Sequence, residues 1–64
     1  MNLAIQQKNR IDTVTELLYD HAEQLTEWEK EFLTSIRRQL YRTMTLHPGQ
    51  IDKYREIRKK IKGF

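Results

Sequence analysis

The chain has no cysteine, only one proline and two glycines among its 64 residues, and no long apolar run. The lack of cysteine excludes disulfide bonds and thiolate metal sites, and it fits a reducing cytoplasm. The two histidines, His21 and His47, lie too far apart in sequence to form a metal-binding motif. A chain this short buries only about 60% of its unfolded surface. We therefore expect oligomerisation or partner binding to supply additional stability.

The absence of other sequence features argues against several classes of function. No segment approaches the roughly 18 consecutive apolar residues that cross a bilayer, and residues 1–10 lack the apolar core of a signal peptide. There is no nucleophile elbow, phosphate-binding glycine loop, H-E-x-x-H motif or calcium loop. These absences predict a cytoplasmic, non-enzymatic protein that requires no metal or cofactor and does not act at a membrane.

The charges that are present are unevenly distributed. A third of the residues are charged, with a net charge of +3. Residues 1–35 hold seven acidic and three basic side chains, whereas residues 36–64 hold nine basic and two acidic ones. This division predicts either acidic and basic helices packed together or a basic surface for an anionic partner.

Apolar periodicity and helix-start signals predict an all-α fold. We expect a small three-helix bundle, in which a helical hairpin follows an N-terminal helix. The predicted helices cover residues 11–24, 27–42 and 48–62, within one domain at 11–64. For residues 1–10 two interpretations stay open, a frayed extension of the first helix and a disordered start. A homodimer would enlarge the small core.

Capping signals define the two later helices. Thr26 and Glu29 form a T-x-x-E capping box at the start of the central helix. Pro48 suits the first position of the last helix, with His47 as its N-cap and Gln50 reaching back to it. The apolar face of the central helix spans about 160° and is wide enough to contact both neighbours. Its predicted members are Trp28, Phe32, Leu33, Ile36, Leu40 and, at the far end, Met44.

The first helix should bury one stripe of apolar residues. Its predicted members are Ile11, Val14, Leu17, Leu18, Ala22 and Leu25. His21 lies within the same arc. We expect it to be a histidine at the core edge, bonded to a backbone or carboxylate oxygen, and the alternative is a pH switch or a ligand-binding role.

The basic residues carry a functional signal. Four of them lie within about 100° of one another on the last helix, namely Arg55, Arg58, Lys59 and Lys62. Three more, at the end of the central helix, would lie near them if the hairpin brought the faces together, namely Arg37, Arg38 and Arg42. Such a surface predicts salt-sensitive phosphate binding, with Tyr41 stacking on a base. The alternative is a solvated face, or one neutralised by the acidic first helix.

Three other aromatic residues also need an interpretation. Trp28 and Phe32 are spaced i, i+4, which predicts that both are core residues. The alternative for Trp28 is an anchor of a partner interface, where tryptophan is enriched among the residues that dominate affinity. Tyr19 falls off the apolar stripe of the first helix, so we expect it to be an exposed contact residue.

The second half of the chain carries a recognisable pattern of residues. It consists of Leu25-Thr26-x-Trp28-Glu29-x-x-Phe32-Leu33-x-Ser35-Ile36, then Leu46-x-Pro48-x-Gln50, then Ile57 and Ile61. This pattern resembles a short helical module of phage and mobile-element proteins, in which W-E-x-x-F-[LI]-x-S-[IL] is followed by L-[ST]-x-x-Q and an amphipathic helix. The resemblance covers residues 25–64 and departs at His47-Pro48-Gly49, where a serine or threonine cap and a lysine are usual. It implies a phage or prophage setting and an association with DNA metabolism, and it supplies no catalytic residues.

Three functional hypotheses result. The leading one is a small phage or prophage accessory protein that binds a protein of nucleic-acid processing or host defence, through Tyr19, Trp28, Arg38 and Arg42. The second is direct, sequence-independent binding of nucleic acid through the basic helical residues. The third is a structural oligomerisation element.

Overall fold

A computed structural model describes the backbone of residues 3–63 and the side chains of residues 9–63. Within the described backbone there are three α-helices and one turn of 3-10 helix. Their bounds are α1 Leu3–Asp20, the 3-10 turn Ala22–Gln24, α2 Glu27–Thr43 and α3 Pro48–Lys62. The predicted all-α fold of three helices is confirmed.

The first helix differs from its predicted range of 11–24 at both ends. It begins at Leu3, so residues 3–10 are helical, and it ends at Asp20. The chain then tightens into the 3-10 turn, whose end is closed by a 3.2 Å hydrogen bond from the Leu25 amide to the Ala22 carbonyl. This turn lets the chain reverse while Leu25 stays buried in the core. Order at residues 1–2 and the placement of Phe64 lie outside the described part of the chain.

The capping box at the start of α2 is confirmed. The Glu29 amide donates to Thr26 Oγ1 over 3.1 Å, and the Thr26 amide donates to Glu29 Oε1 over 2.8 Å. These two bonds satisfy backbone donors that have no partner inside the helix. At the other end, Met44 adopts the left-handed conformation at φ 57° and donates its amide to the Leu40 carbonyl.

The core is formed by one stripe from each helix. Its buried cluster contains Val14, Leu17, Leu25, Leu33, Ile36, Tyr54 and Ile57. Phe32, Leu18, Leu46 and Ile61 are partly buried against it. The apolar stripe of α1 therefore faces inward as predicted, and α3 contributes Tyr54 and Ile57 to the same core.

Trp28 is not the core residue that its spacing predicts, because 54% of it is exposed. The buried stripe of α2 is narrower than predicted and consists of Glu29, Leu33, Ile36 and Leu40. Glu29 takes the inward position in the first turn, so Trp28 falls on the flank of the stripe. Met44 is likewise exposed rather than packed in the core.

Polar contacts show how the helices are arranged. Arg37 of α2 donates from Nε to Thr15 Oγ1 of α1 over 2.9 Å. The start of α2 pairs with the end of α3 through Glu29 and Lys60, so these two helices are antiparallel. Lys62 of α3 pairs with Glu16 of α1. The central helix thus contacts both neighbours, and an acidic residue of α1 neutralises a basic residue of α3.

Candidate binding surfaces

Trp28 is exposed but held in one orientation. Its ring stacks on Phe32, with the ring centroids 5.3 Å apart and the planes 6° from parallel. The Lys53 ammonium of α3 lies 5.1 Å from the centroid of the Trp28 ring. We call these three residues the Trp28 surface. A tryptophan held in this way loses little side-chain freedom when a partner covers it.

Glu29, the residue after Trp28, links α2 to α3 through an ion pair with Lys60. Its carboxylate is buried and accepts from Lys60 Nζ at 2.6 Å as well as from the Thr26 amide. The hydrogen bond from Lys60, followed by the one from the Thr26 backbone, holds the pKa of Glu29 below its ordinary value. A charged carboxylate therefore fixes the spacing between the helices that carry Trp28 and Lys53.

A shallow groove of about 470 Å³ runs beside the C-terminal half of α2. It is lined by Ser35, Arg38, Gln39, Arg42, Thr43, Thr45 and His47. Arg38 and Arg42 are exposed. Among the described residues, neither guanidinium makes an ion pair, a hydrogen bond or a ring contact. The groove is therefore cationic and has no acidic residue in its lining.

A second groove of about 280 Å³ adjoins the first one. It is lined by Lys30, Glu31, Thr34, Ser35 and Arg38. Ser35 and Arg38 line both grooves, so the two form one strip along the exposed side of α2. We call this strip the α2 track. Glu31 is the acidic residue in its lining, at the end farthest from Arg42.

Hydrogen bonds of two glutamine side chains connect the residues along one side of the first groove. The side chains of Gln39 and Gln50 bond reciprocally, at 3.2 Å and 2.9 Å. Gln39 also donates to the Thr45 carbonyl, and the His47 amide donates to Gln50 Oε1 over 2.8 Å. The predicted reach of Gln50 back to His47 is confirmed. This network fixes the α2–α3 connection beside Arg42.

Four basic residues of α3 were predicted to share one face, namely Arg55, Arg58, Lys59 and Lys62. Two of them interact with other residues of the fold. Lys62 pairs with Glu16, and the Arg58 guanidinium lies 5.5 Å from the centroid of the Tyr54 ring. The pKa of Glu16 is lowered chiefly by the hydrogen bond from Lys62, with a smaller contribution from His21. Arg58 also lines a groove of about 220 Å³ with Asn9, Arg10, Thr13 and Tyr54. The other two flank residues, Arg55 and Lys59, are exposed.

The seven basic residues predicted to share one surface are distributed over different places. Arg37 bonds to α1 and lies 5.0 Å from the centroid of the Tyr41 ring. Arg38 and Arg42 line the first groove, whereas Arg58 lines a different groove together with residues of α1 and Lys62 pairs with Glu16 of α1. The described contacts therefore do not join the central-helix and last-helix cations into a single groove.

The remaining predicted contact residues are placed as follows. Tyr19 is 73% exposed and Tyr41 is 61% exposed, which confirms their predicted positions off the apolar stripes. Their roles in binding stay predictions. His21 is half-buried, and its Nε2 lies 3.6 Å from Glu16 Oε2. It faces a carboxylate as expected, but the distance exceeds that of a hydrogen bond.

Sequence reasoning missed Lys53 as part of the Trp28 surface, Lys30 as part of the α2 track and Lys60 as the partner of Glu29. Lys53 and Lys60 lie on the side of α3 away from the four clustered basic residues, and the helical period already indicates this separation in the sequence. Their partners Trp28 and Glu29 lie more than twenty residues earlier in the chain. Only the packing of α2 against α3 brings these pairs together.

Comparison with known proteins adds no relative: no family model, curated protein or solved structure matches this chain. Among the described residues, no group of three histidine, aspartate or glutamate side chains is placed to hold a metal ion. None of the described helices has the length and apolar character that a membrane span requires.

Proposed function

We propose that this protein is a non-enzymatic binding module whose Trp28 surface docks on a protein partner. The observation that carries the proposal is a large aromatic side chain that is 54% exposed yet held by Phe32 and Lys53. Exposed tryptophan in a fixed orientation is typical of the residues that dominate protein–protein affinity. The resemblance to a phage module supports a partner in nucleic-acid processing or host defence.

The chemistry of the surface specifies what the partner must present. The free part of the Trp28 ring favours an aliphatic or aromatic side chain. The Lys53 ammonium beside it pairs with the exposed Glu56 carboxylate over 3.2 Å in this chain, and it favours a partner carboxylate next to that apolar group. We therefore expect an acidic-apolar segment of the partner to contact this surface.

A crosslinking experiment tests this proposal. A photoreactive benzoyl-phenylalanine placed at position 28 should capture a discrete protein from a lysate of cells that contain this chain. The same residue at position 44, which is also exposed, should not capture that protein. The captured protein should bind wild type directly when purified, and Trp28→Ala should weaken this binding by roughly tenfold or more, as expected for a dominant contact.

The matched control is Met44→Ala, which removes an exposed apolar side chain at the opposite end of α2. It should bind the captured partner like wild type. Tyr19→Ala tests whether the interface extends to α1. Equal affinity of wild type and a folded Trp28→Ala variant, checked by circular dichroism, would refute the proposed surface.

A further inference from the structure

We propose that the α2 track binds the phosphates of single-stranded nucleic acid, with Arg38 and Arg42 as its principal contacts. This inference is independent of the Trp28 surface. It rests on the position and charge of side chains on one face of α2, and on the lack of a described partner for Arg38 and Arg42.

Arg38 and Arg42 are spaced i, i+4, which places two like charges side by side on the helix. Such a pair destabilises a helix by about 0.2–0.5 kcal/mol. The helix dipole offsets a cation in the last turn, and Arg42 lies there, but Arg38 lies one turn earlier. Because no described acidic side chain pairs with either residue, an external anion is the natural partner.

The form of the track favours a chain of anions over a single one. Lys30, Arg38 and Arg42 follow one another along the helix, and at 1.5 Å per residue they extend over about 18 Å. Lys30 Nζ lies 3.6 Å from Glu27 Oε1, an exposed ion pair of little net stability that a phosphate can replace. Ser35 lies between them and lines both grooves. A row of cations of this length matches the repeated charges of a nucleic-acid backbone, whereas one phosphate would occupy only a part of it.

Tyr41 favours a single strand over a duplex. It lies three residues after Arg38, is 61% exposed and has its ring held beside Arg37. An exposed aromatic ring next to a phosphate-binding groove stacks on unpaired bases, which a duplex keeps inside its own stack. Tyr41 lines neither groove, but its i, i+3 spacing from Arg38 places its ring beside the track, where a base can stack on it.

Fluorescence anisotropy with a labelled oligothymidylate of about 15 nucleotides tests the proposal. At about 50 mM salt the wild type should bind, and the logarithm of the affinity should fall linearly with the logarithm of salt concentration. The double variant Arg38→Gln/Arg42→Gln should bind roughly tenfold more weakly or worse. Its salt slope should be smaller by about 1.4, since each single-strand phosphate contact contributes about 0.7.

The chain offers a matched control in Arg55→Gln/Lys59→Gln. These residues are also exposed and spaced i, i+4, but they do not line the track. This control should retain the affinity of wild type to within about twofold to threefold, which is the effect expected from net charge alone. Equal losses in the two double variants would show diffuse attraction and overturn the proposal, as would a wild type that does not bind at low salt.

Two single variants should change the affinity for oligothymidylate in opposite directions. Glu31→Gln removes the acidic side chain of the track and should strengthen binding. Tyr41→Ala should weaken oligothymidylate binding roughly fivefold to a hundredfold through loss of stacking, and an unchanged affinity would overturn the preference for a single strand.

Two competitors distinguish other sources of phosphate. A duplex of the same length should compete less well than the single strand, and a phosphoserine peptide should compete only weakly. Stronger competition by the phosphopeptide, abolished in Arg38→Gln/Arg42→Gln, would assign the track to phosphoproteins and overturn the nucleic-acid proposal. Because Trp28→Ala leaves the track intact, it should bind the oligonucleotide like wild type, so failure of one proposal is separable from failure of the other.

Discussion

Glu29 shows how much one residue contributes to this fold. It closes the capping box with Thr26, pairs with Lys60 at the end of α3 and lies in the buried stripe of α2. The T-x-x-E spacing predicted the first contribution. The second could not be predicted, because the two residues lie 31 positions apart and charge patterning on a single helix does not reveal contacts to another helix.

The pH dependence of stability should reflect Glu29. Its pKa is lower in the folded protein than in the unfolded chain, so the folded state binds fewer protons. The resulting stabilisation is present at pH values above the ordinary pKa of glutamate, 4.5, and is lost as the pH falls through the lower folded value. Urea unfolding monitored by circular dichroism between neutral and acidic pH should therefore show a falling free energy of unfolding in wild type.

The variant Glu29→Gln should be less stable than wild type at neutral pH, and its stability should fall less between neutral and acidic pH. Glu23→Gln serves as the control, because Glu23 is exposed on the 3-10 turn and makes no hydrogen bond or ion pair among the described residues. This control should retain the acid-dependent loss. An identical pH profile for Glu29→Gln and wild type would contradict the role assigned to this carboxylate.

At the scale of elements, α2 carries the contacts that define both proposed surfaces. Its N-terminal turn supplies Trp28, and its C-terminal half supplies Arg38 and Arg42. The start of this helix was predictable because capping is a local interaction. Burial at the edges of its apolar face was not predictable, because an arc of about 160° includes positions whose exposure depends on how the neighbouring helices pack.

The end of α2 yields a prediction about stability. Met44 adopts φ 57°, a conformation that costs an L-residue with a side chain roughly 1–2 kcal/mol and glycine almost nothing. Glycine also makes the unfolded chain more flexible, which lowers the free energy of unfolding by about 0.4–1 kcal/mol. The variant Met44→Gly should therefore raise the free energy of unfolding by about 0.5–1 kcal/mol in urea titrations.

Met44→Ala keeps the unfavourable conformation and should not stabilise the protein. If alanine and glycine at position 44 had the same effect, lost side-chain contacts rather than backbone conformation would explain it.

At the scale of the whole molecule, the small core limits the free energy of unfolding. Stability of about 0.05–0.15 kcal/mol per residue corresponds to about 3–10 kcal/mol for a chain of this length. The ion pairs between helices add little where their side chains are exposed. A second copy of the chain is one way to bury more surface, and the exposed Tyr19 and Trp28 offer apolar area for it.

We therefore propose a homodimer and expect two consequences. The midpoint of thermal unfolding should rise with protein concentration, because association stabilises the folded state by mass action. Sedimentation equilibrium should give a mass approaching twice 7.8 kDa at high concentration. A constant midpoint together with a mass of 7.8 kDa would contradict the dimer, and Trp28→Ala would show whether the Trp28 surface forms its interface.

The sequence by itself determined the number and class of the helices, both capping boundaries at Thr26 and Pro48, and most of the core. These features depend on interactions within about four residues or on the 3.6-residue period. Only the tertiary structure decided that Trp28 is exposed, that Lys53 and Lys60 contact the first turn of α2, and that the predicted basic residues lie on separate parts of the surface. Those outcomes depend on how three helices rotate against one another, which is set by the fit of side chains far apart in the chain.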